Sequence, residues 1–212
     1  MTAVPSPPGA PDPARTLILG CGALAAELLE LVRVNNLSHV TVDCLPASLH
    51  HKPALIAAAL NERLERLEQR EGPAYQQILI GYGDCGTAGA IDRVCDRFGA
   101  TRLPGAHCFE FFAGAEVYGA LQEAELGTFY LTDFFARHFK LFVLDALGMV
   151  AHPELIQLYF GNYTRVVYIS QAPSPDLLQR AEDAATHLGL TFEHRPVGYG
   201  DLGPVFVGLG ER

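Results

Sequence analysis

The sequence predicts an α/β protein with a mostly parallel sheet, built from Rossmann-like strand-turn-helix units readable as pseudo-repeated lobes. Three observations carry that expectation. Short apolar runs alternate with longer amphipathic stretches. Glycine-rich turns follow several of the runs directly. The hexapeptide Gly81-Tyr-Gly-Asp-Cys-Gly86 is nearly repeated as Gly198-Tyr-Gly-Asp-Leu-Gly203, and Gly20-Cys-Gly-Ala-Leu-Ala25 has a similar shape.

The first unit starts at Thr16, where an apolar run meets Gly20-Cys21-Gly22 and a helix follows with Leu24, Leu28, Leu31 and Val32 on one face. Asn35 and Asn36 stop it. A second strand, His39 to Asp43, leads into Cys44 and the loop Leu49-His50-His51-Lys52-Pro53, and the next helix carries Ile56, Leu60, Leu64 and Leu67. A third strand, Gln77 to Ile80, opens onto the Cys85 turn. The helix after it turns Ile91, Val94 or Cys95, and Phe98 inward and ends at Gly99. An aromatic helix is expected from Phe109, just after His107-Cys108, and the segment 127–162 reads as mostly helical. A strand at Arg165 to Ile169 precedes a helix capped by Ser174 with Pro175 in its first turn, and a last strand follows Gly189 near Thr191 to His194. Residues 1–15 are expected to form a disordered Pro-rich tail, and residues 16–212 a single α/β domain of up to three small lobes.

Composition limits the function classes. Apolar residues make up 49% of the 212 positions and the net charge is −9, with no basic run anywhere. Phosphate backbones and anionic membranes need a basic face, so neither nucleic acid nor membrane is expected as a partner. The N-terminus has no basic start and no apolar core, so the expected location is cytoplasmic. In that reducing setting five cysteines point to metal binding, reactive thiols or plain burial rather than disulfides.

Cys85 is the sharpest candidate. Placed between a strand and a helix start, it is expected to be held as a thiolate by backbone N–H groups and the helix dipole, with Gly83 and Gly86 letting a bulky partner approach. Cys21 and Cys44 follow the first two strands, and Cys108 stands beside His107 at another loop-to-helix junction. Ends of parallel strands share one edge, so these thiols could ligate an iron–sulfur cluster or a soft transition metal, with His107 and His50 as further ligands. No pair has Cys-x-x-Cys spacing, so convergence depends on the fold. Cys95 reads as packing. A rival reading takes Gly20, Gly22 and Ala25 as a dinucleotide fingerprint with Asp43 as the ribose acid. A non-catalytic interaction module is the third reading.

The chain also resembles an uncharacterised bacterial and archaeal family of unknown function. The resemblance rests on Leu49-His50 with Pro53, Tyr82-Gly-Asp-Cys-Gly86, His107-Cys108, Gly127-Thr-Phe-Tyr-Leu-Thr-Asp-Phe134 and Tyr159-Phe-Gly-Asn-Tyr163. It implies that Cys21, Cys44, Cys85 and Cys108 are family-typical, and it implies an accessory or enzymatic role in one-carbon metabolism, with corrinoid or methyltransferase proteins as partners. Two positions depart from the family pattern: His51 replaces an expected Asn, and Gly148-Met-Val-Ala-His152 replaces a more charged ending. A looser analogy, in spirit only, is to quinolinate synthase, whose similar lobes each supply one cysteine to a central cluster. The expected function is therefore thiolate-based metal or cluster binding, alongside a small-molecule ligand where one iron stays open.

Overall fold

The structure, a computed structural model, describes residues 14–69 and 74–210, so all but the last two residues of the expected Pro-rich tail lie outside it. The chain is α/β, as expected, with two parallel sheets among the described residues.

The first sheet begins with β1 (Thr16–Cys21), a 3-10 turn at Gly22–Leu24 and α1 (Ala25–Val34). β2 (Val40–Leu45), a second 3-10 turn at Ala47–His51 and α2 (Pro53–Glu68) follow. β3 (Gln77–Gly81), α3 (Ala90–Phe98) and the two-residue β4 (Thr101–Arg102) complete it in the order β2-β1-β3-β4. Leu17, Ile18 and Leu19 are almost fully buried. That continuous apolar run is what a central parallel strand covered on both faces requires.

Between the sheets lie α4 (Cys108–Ala113) and α5 (Ala115–Ala124). The second sheet runs β5-β6-β7, from β5 (Thr128–Leu131), β6 (Arg165–Ser170) and β7 (Thr191–Pro196). Between its strands come α6 (Asp133–Arg137), a π-helical turn at Lys140–Asp145, α7 (Leu155–Phe160) and α8 (Pro175–Leu188), and α9 (Leu202–Gly210) closes the described chain. Ser174 caps α8 by accepting from the Leu177 N–H, and Gly99 and Gly189 end their helices in the left-handed conformation, all as the sequence leads one to expect.

One expectation is corrected. Segment 127–162 is not mostly helical at its start, because Thr128–Leu131 pairs with Arg165–Tyr168 as a parallel strand. An aromatic tetrapeptide carries no helical period, and pairing against a buried neighbour decides its conformation.

The first sheet and one side of the second share a core, while Leu131, Val166 and Tyr168 of the second sheet pack with α6 and α8 in another. A single apolar cluster joins β1 and β3 residues to Tyr130, Val167 and Ile169 of the second sheet and to Leu202 and Phe206 of α9. The near-repeated hexapeptides hold opposite ends of α4. After β3, Asp84 N–H donates to the Gly105 carbonyl at 3.1 Å and Cys85 N–H to the Ala106 carbonyl at 2.6 Å, just before α4. After β7, Gly200 lies against the Phe111 and Phe112 carbonyls at the other end, and Asp201 N–H donates to the Phe111 carbonyl at 2.8 Å. A Cβ at residue 200 would collide with that backbone, so only glycine fits there.

Candidate functional site

In the order β2-β1-β3-β4 the chain leaves β1 for one neighbour and returns to the other, so the ends of β1 and β3 form a topological switch point. Crevices at such points are where open α/β sheets bind ligands. A cavity of about 170 Å³ lies there. Cys21 enters it from the end of β1, Tyr82 and Cys85 from the loop after β3, and His107 and Cys108 from the start of α4. Phe109, Phe111 and Phe135 line it with apolar surface, and His50 contributes from the turn before α2.

The convergence has a local cause. A Cβ at residue 83 would sit 3.0 Å from both the Gly105 carbonyl oxygen and the His107 nitrogen, so Gly83 lets the two loops touch. The backbone bonds from Asp84 and Cys85 then lock the Cys85 loop to the segment that carries His107 and Cys108. Cys85 itself has φ +50°, in the left-handed region that a side chain with a Cβ rarely adopts. Strain of this kind costs on the order of 1 kcal/mol and collects at functional sites.

The expected thiolate at a helix N-terminus is corrected. α3 starts at Ala90, and Asp84 occupies its approach, accepting from the Gly89 N–H at 2.8 Å and the Ala88 N–H at 3.3 Å. Burial, with Cys21 next in weight, pushes the Cys85 thiol up to about 11. Burial also raises Cys21, and raises Cys108 well above the ordinary thiol range with Cys85 and Cys21 adding to it. Cys21 thus bears on both Cys85 and Cys108 across one cavity, and burial disfavours ionisation of all three as free groups.

Cys44 is at the same sheet edge but does not line the cavity. It stands in register with Gly20, one residue behind Cys21, so it belongs to the opposite face of the pleat. Its sulfur would be 3.8 Å from a Cβ on Gly20, on the side where Leu28 of α1 packs. Burial, then Cys21 and Asp43, push its thiol up to about 11.

Both histidines reach the cavity. His107 is held below the ordinary imidazole range, chiefly by burial. His50 sits at the rim against Phe135, with ring centroids 4.9 Å apart. Burial of the ring, with His51 and His107 nearby, lowers its pKa, and its solvent-exposed side limits the size of that shift. Neutral imidazole is the form that binds metals. Among the described residues no three His, Cys, Asp or Glu side chains already stand around one point as a metal ion would need.

The residues of the dinucleotide reading have other employment. A Cβ at residue 22 would lie 2.8 Å from the Leu45 carbonyl oxygen and 2.9 Å from the Ala47 nitrogen, so the close approach Gly22 permits is to the chain's own backbone. Gly20 admits Leu28, and Gly86 (φ +75°) continues the left-handed path begun by Cys85. Asp43 accepts from Arg63 Nε at 2.5 Å and from the Cys44 N–H at 2.9 Å.

Two cavity features lay beyond the sequence reading. Tyr82, 2% exposed, places its hydroxyl beside the Cys21 thiol without completing a hydrogen bond. Burial and the thiols of Cys21, Cys85 and Cys44 push that phenol far up. His107 leaves Nδ1 buried without a partner, while its Nε2 lies 3.2 Å from the Tyr118 hydroxyl. The position of Tyr82 between two glycines after a strand was the available signal.

The chain belongs to the family described as protein of unknown function (DUF1638), which it matches over residues 44–205. That span contains Cys44, Cys85, Cys108 and both cavity histidines, and begins after Cys21. No curated protein and no solved structure matches the chain. No helix among the described residues is long and apolar enough to cross a membrane.

Proposed function

We propose that this protein holds a soft metal centre in the cavity at the β1/β3 switch point, with Cys21, Cys85 and Cys108 as thiolate ligands. The observation that carries this reading is the meeting of three thiols from three separate segments in the lining of one cavity. A desolvated thiol ionises readily only when a cation takes the proton's place on sulfur, and a thiolate-preferring metal supplies that charge. Each ligating thiol releases its proton to solvent, so binding tightens as pH rises. His50 and His107 add neutral imidazoles to the same wall. Cys44, on the opposite face of the pleat, is left out of the ligand set. The one-carbon and corrinoid setting, with methyltransferase or corrinoid proteins as partners, belongs to this proposal through the family resemblance alone.

The test is anaerobic purification of the full chain, followed by metal analysis and an absorption spectrum. Metal should be present, or taken up on incubation with iron and sulfide, zinc or cobalt. Cys85→Ser should lose at least tenfold in metal affinity, since a serine hydroxyl stays protonated and binds soft metals poorly. Full metal retention in Cys85→Ser, or a wild-type chain that takes up none of these, would overturn the reading.

A further inference from the structure

We infer that the occupant of this cavity is an iron–sulfur cluster rather than a lone ion, and that Tyr82 and His107 donate hydrogen bonds to its sulfur atoms. The inference rests on the metal-centre reading above and narrows it.

Size is the first argument. A water molecule takes about 30 Å³ of the liquid. The cavity of about 170 Å³ therefore has room for several waters, far more than one ion needs. Much of its wall is Ala23, Leu24, Ile56 and the phenylalanines, which offer waters no partners. A polyatomic guest held by thiolates from different walls fills such a space, whereas a single ion draws every ligand to about 2.3 Å from one point.

The unpaired polar atoms are the second argument. Tyr82 Oη and His107 Nδ1 are both buried and without a partner in residues that line the cavity. The protons can be assigned from neighbouring groups. With Gln122 Nε2 donating to the Tyr118 hydroxyl at 2.6 Å, we assign the hydroxyl proton of Tyr118 to His107 Nε2, 3.2 Å away. In the neutral ring Nδ1 then carries the other proton and acts as a donor. Tyr82 is likewise a donor aimed at a thiol-lined space. Buried donors short of a well-formed hydrogen bond, Tyr82 having only the weak acceptor Cys21 beside it, cost free energy until a guest brings better acceptors. Bridging sulfides do so, and hydrogen bonds to them set a cluster's reduction potential. This assignment moves His107 from metal ligand to hydrogen-bond donor.

Assembly takes up iron supplied in both the ferric and ferrous states together with hydrosulfide, so no separate oxidant is needed, and each hydrosulfide and each ligating cysteine loses one proton to solvent. The full chain should be incubated anaerobically with iron plus sulfide, and separately with zinc alone and cobalt alone. Iron and acid-labile sulfide per chain are then measured, with midpoint potentials for wild type, Tyr82→Phe and His107→Gln. The expected result is comparable iron and sulfide, a cluster retained in Tyr82→Phe, and a midpoint shifted to more negative values, because a donor that eased electron uptake is gone. His107→Gln gives an independent reading should Tyr82→Phe lose its fold by circular dichroism. Metal bound without sulfide would leave the metal-centre reading standing and sink this one. No metal under any condition would sink both. A cluster whose potential moves in neither variant would overturn the donor assignment.

Discussion

At the C-terminal edge of the β5-β6-β7 sheet the polar cluster around Asp133 is used up by the fold, whereas at the edge of β1 and β3 polar atoms are kept open. Asp133, 3% exposed, begins α6 and accepts from Tyr168 Oη at 2.7 Å, the Gln171 N–H at 3.1 Å and the Ala172 N–H at 2.7 Å. Its own N–H donates to Gln171 Oε1 at 2.9 Å, and Ser170 meets His194 at 2.9 Å nearby. The β1/β3 edge instead leaves Tyr82 Oη and His107 Nδ1 unpaired and holds Cys85 in a left-handed backbone. Parallel strands ending in polar loops can thus serve either purpose. Satisfied polar groups lock an edge shut, while buried unsatisfied ones mark an edge shaped for something else.

The contrast can be broken by experiment. Asp133→Ala should have the largest effect, because three donors, two of them buried, lose their acceptor together. A cost of about 3–5 kcal/mol in urea unfolding is expected, with metal uptake by the folded fraction unchanged. A cost below about 1 kcal/mol would mean that the second edge is no more structural than the first.

Alkaline pH should probe the open edge with a smaller effect. Cys44 and Cys85 ionise near 9.0 in an unfolded chain and at about 11 when folded. Below the lower value both states keep their protons. Between the two the unfolded chain ionises first, so stability of the metal-free protein falls as pH rises through that window. Urea midpoints at about pH 8 and about pH 10.5 should show this fall, and bound metal should reduce it, since ligating thiols are already ionised. An equal fall with and without metal would separate Cys85 from the metal.

The smallest effect belongs to Cys95→Ala. That cysteine is 7% exposed and packs with Ile91 and Val94 on the inner face of α3. Its loss should cost about 1 kcal/mol or less and leave metal content untouched. Loss of metal in this variant would extend the open site to a helix that now reads as packing.

Much of the architecture was legible in advance because local signals and packing agree. The runs at Thr16, His39, Gln77, Arg165 and Thr191 became strands, and Ser174, Gly99 and Gly189 bound their helices as their side-chain and backbone chemistry dictates. β5 and β4 were not legible. Thr101–Arg102 is a strand only because it pairs with Leu79 and Ile80, and Thr128–Leu131 only because β6 lies beside it. The candidate site was legible in part for the same reason. Chain order put Cys21 and Cys85 at one edge, but the pleat of β2 turned Cys44 to the other face, a distinction that depends on register.

By itself, then, the sequence determined the alternation of strands and helices, the glycines that permit close approach, and which thiols stand at strand ends. Each of these follows from residues within a few positions of one another. Only the tertiary structure decided that the His107-Cys108 segment closes on the Cys85 loop, that Tyr82 shares their cavity, and that burial raises thiols whose local position promised the reverse. The physical reason is that hydrogen-bonding patterns and backbone conformations are local, whereas desolvation and the pairing of polar atoms depend on what the rest of the chain brings alongside.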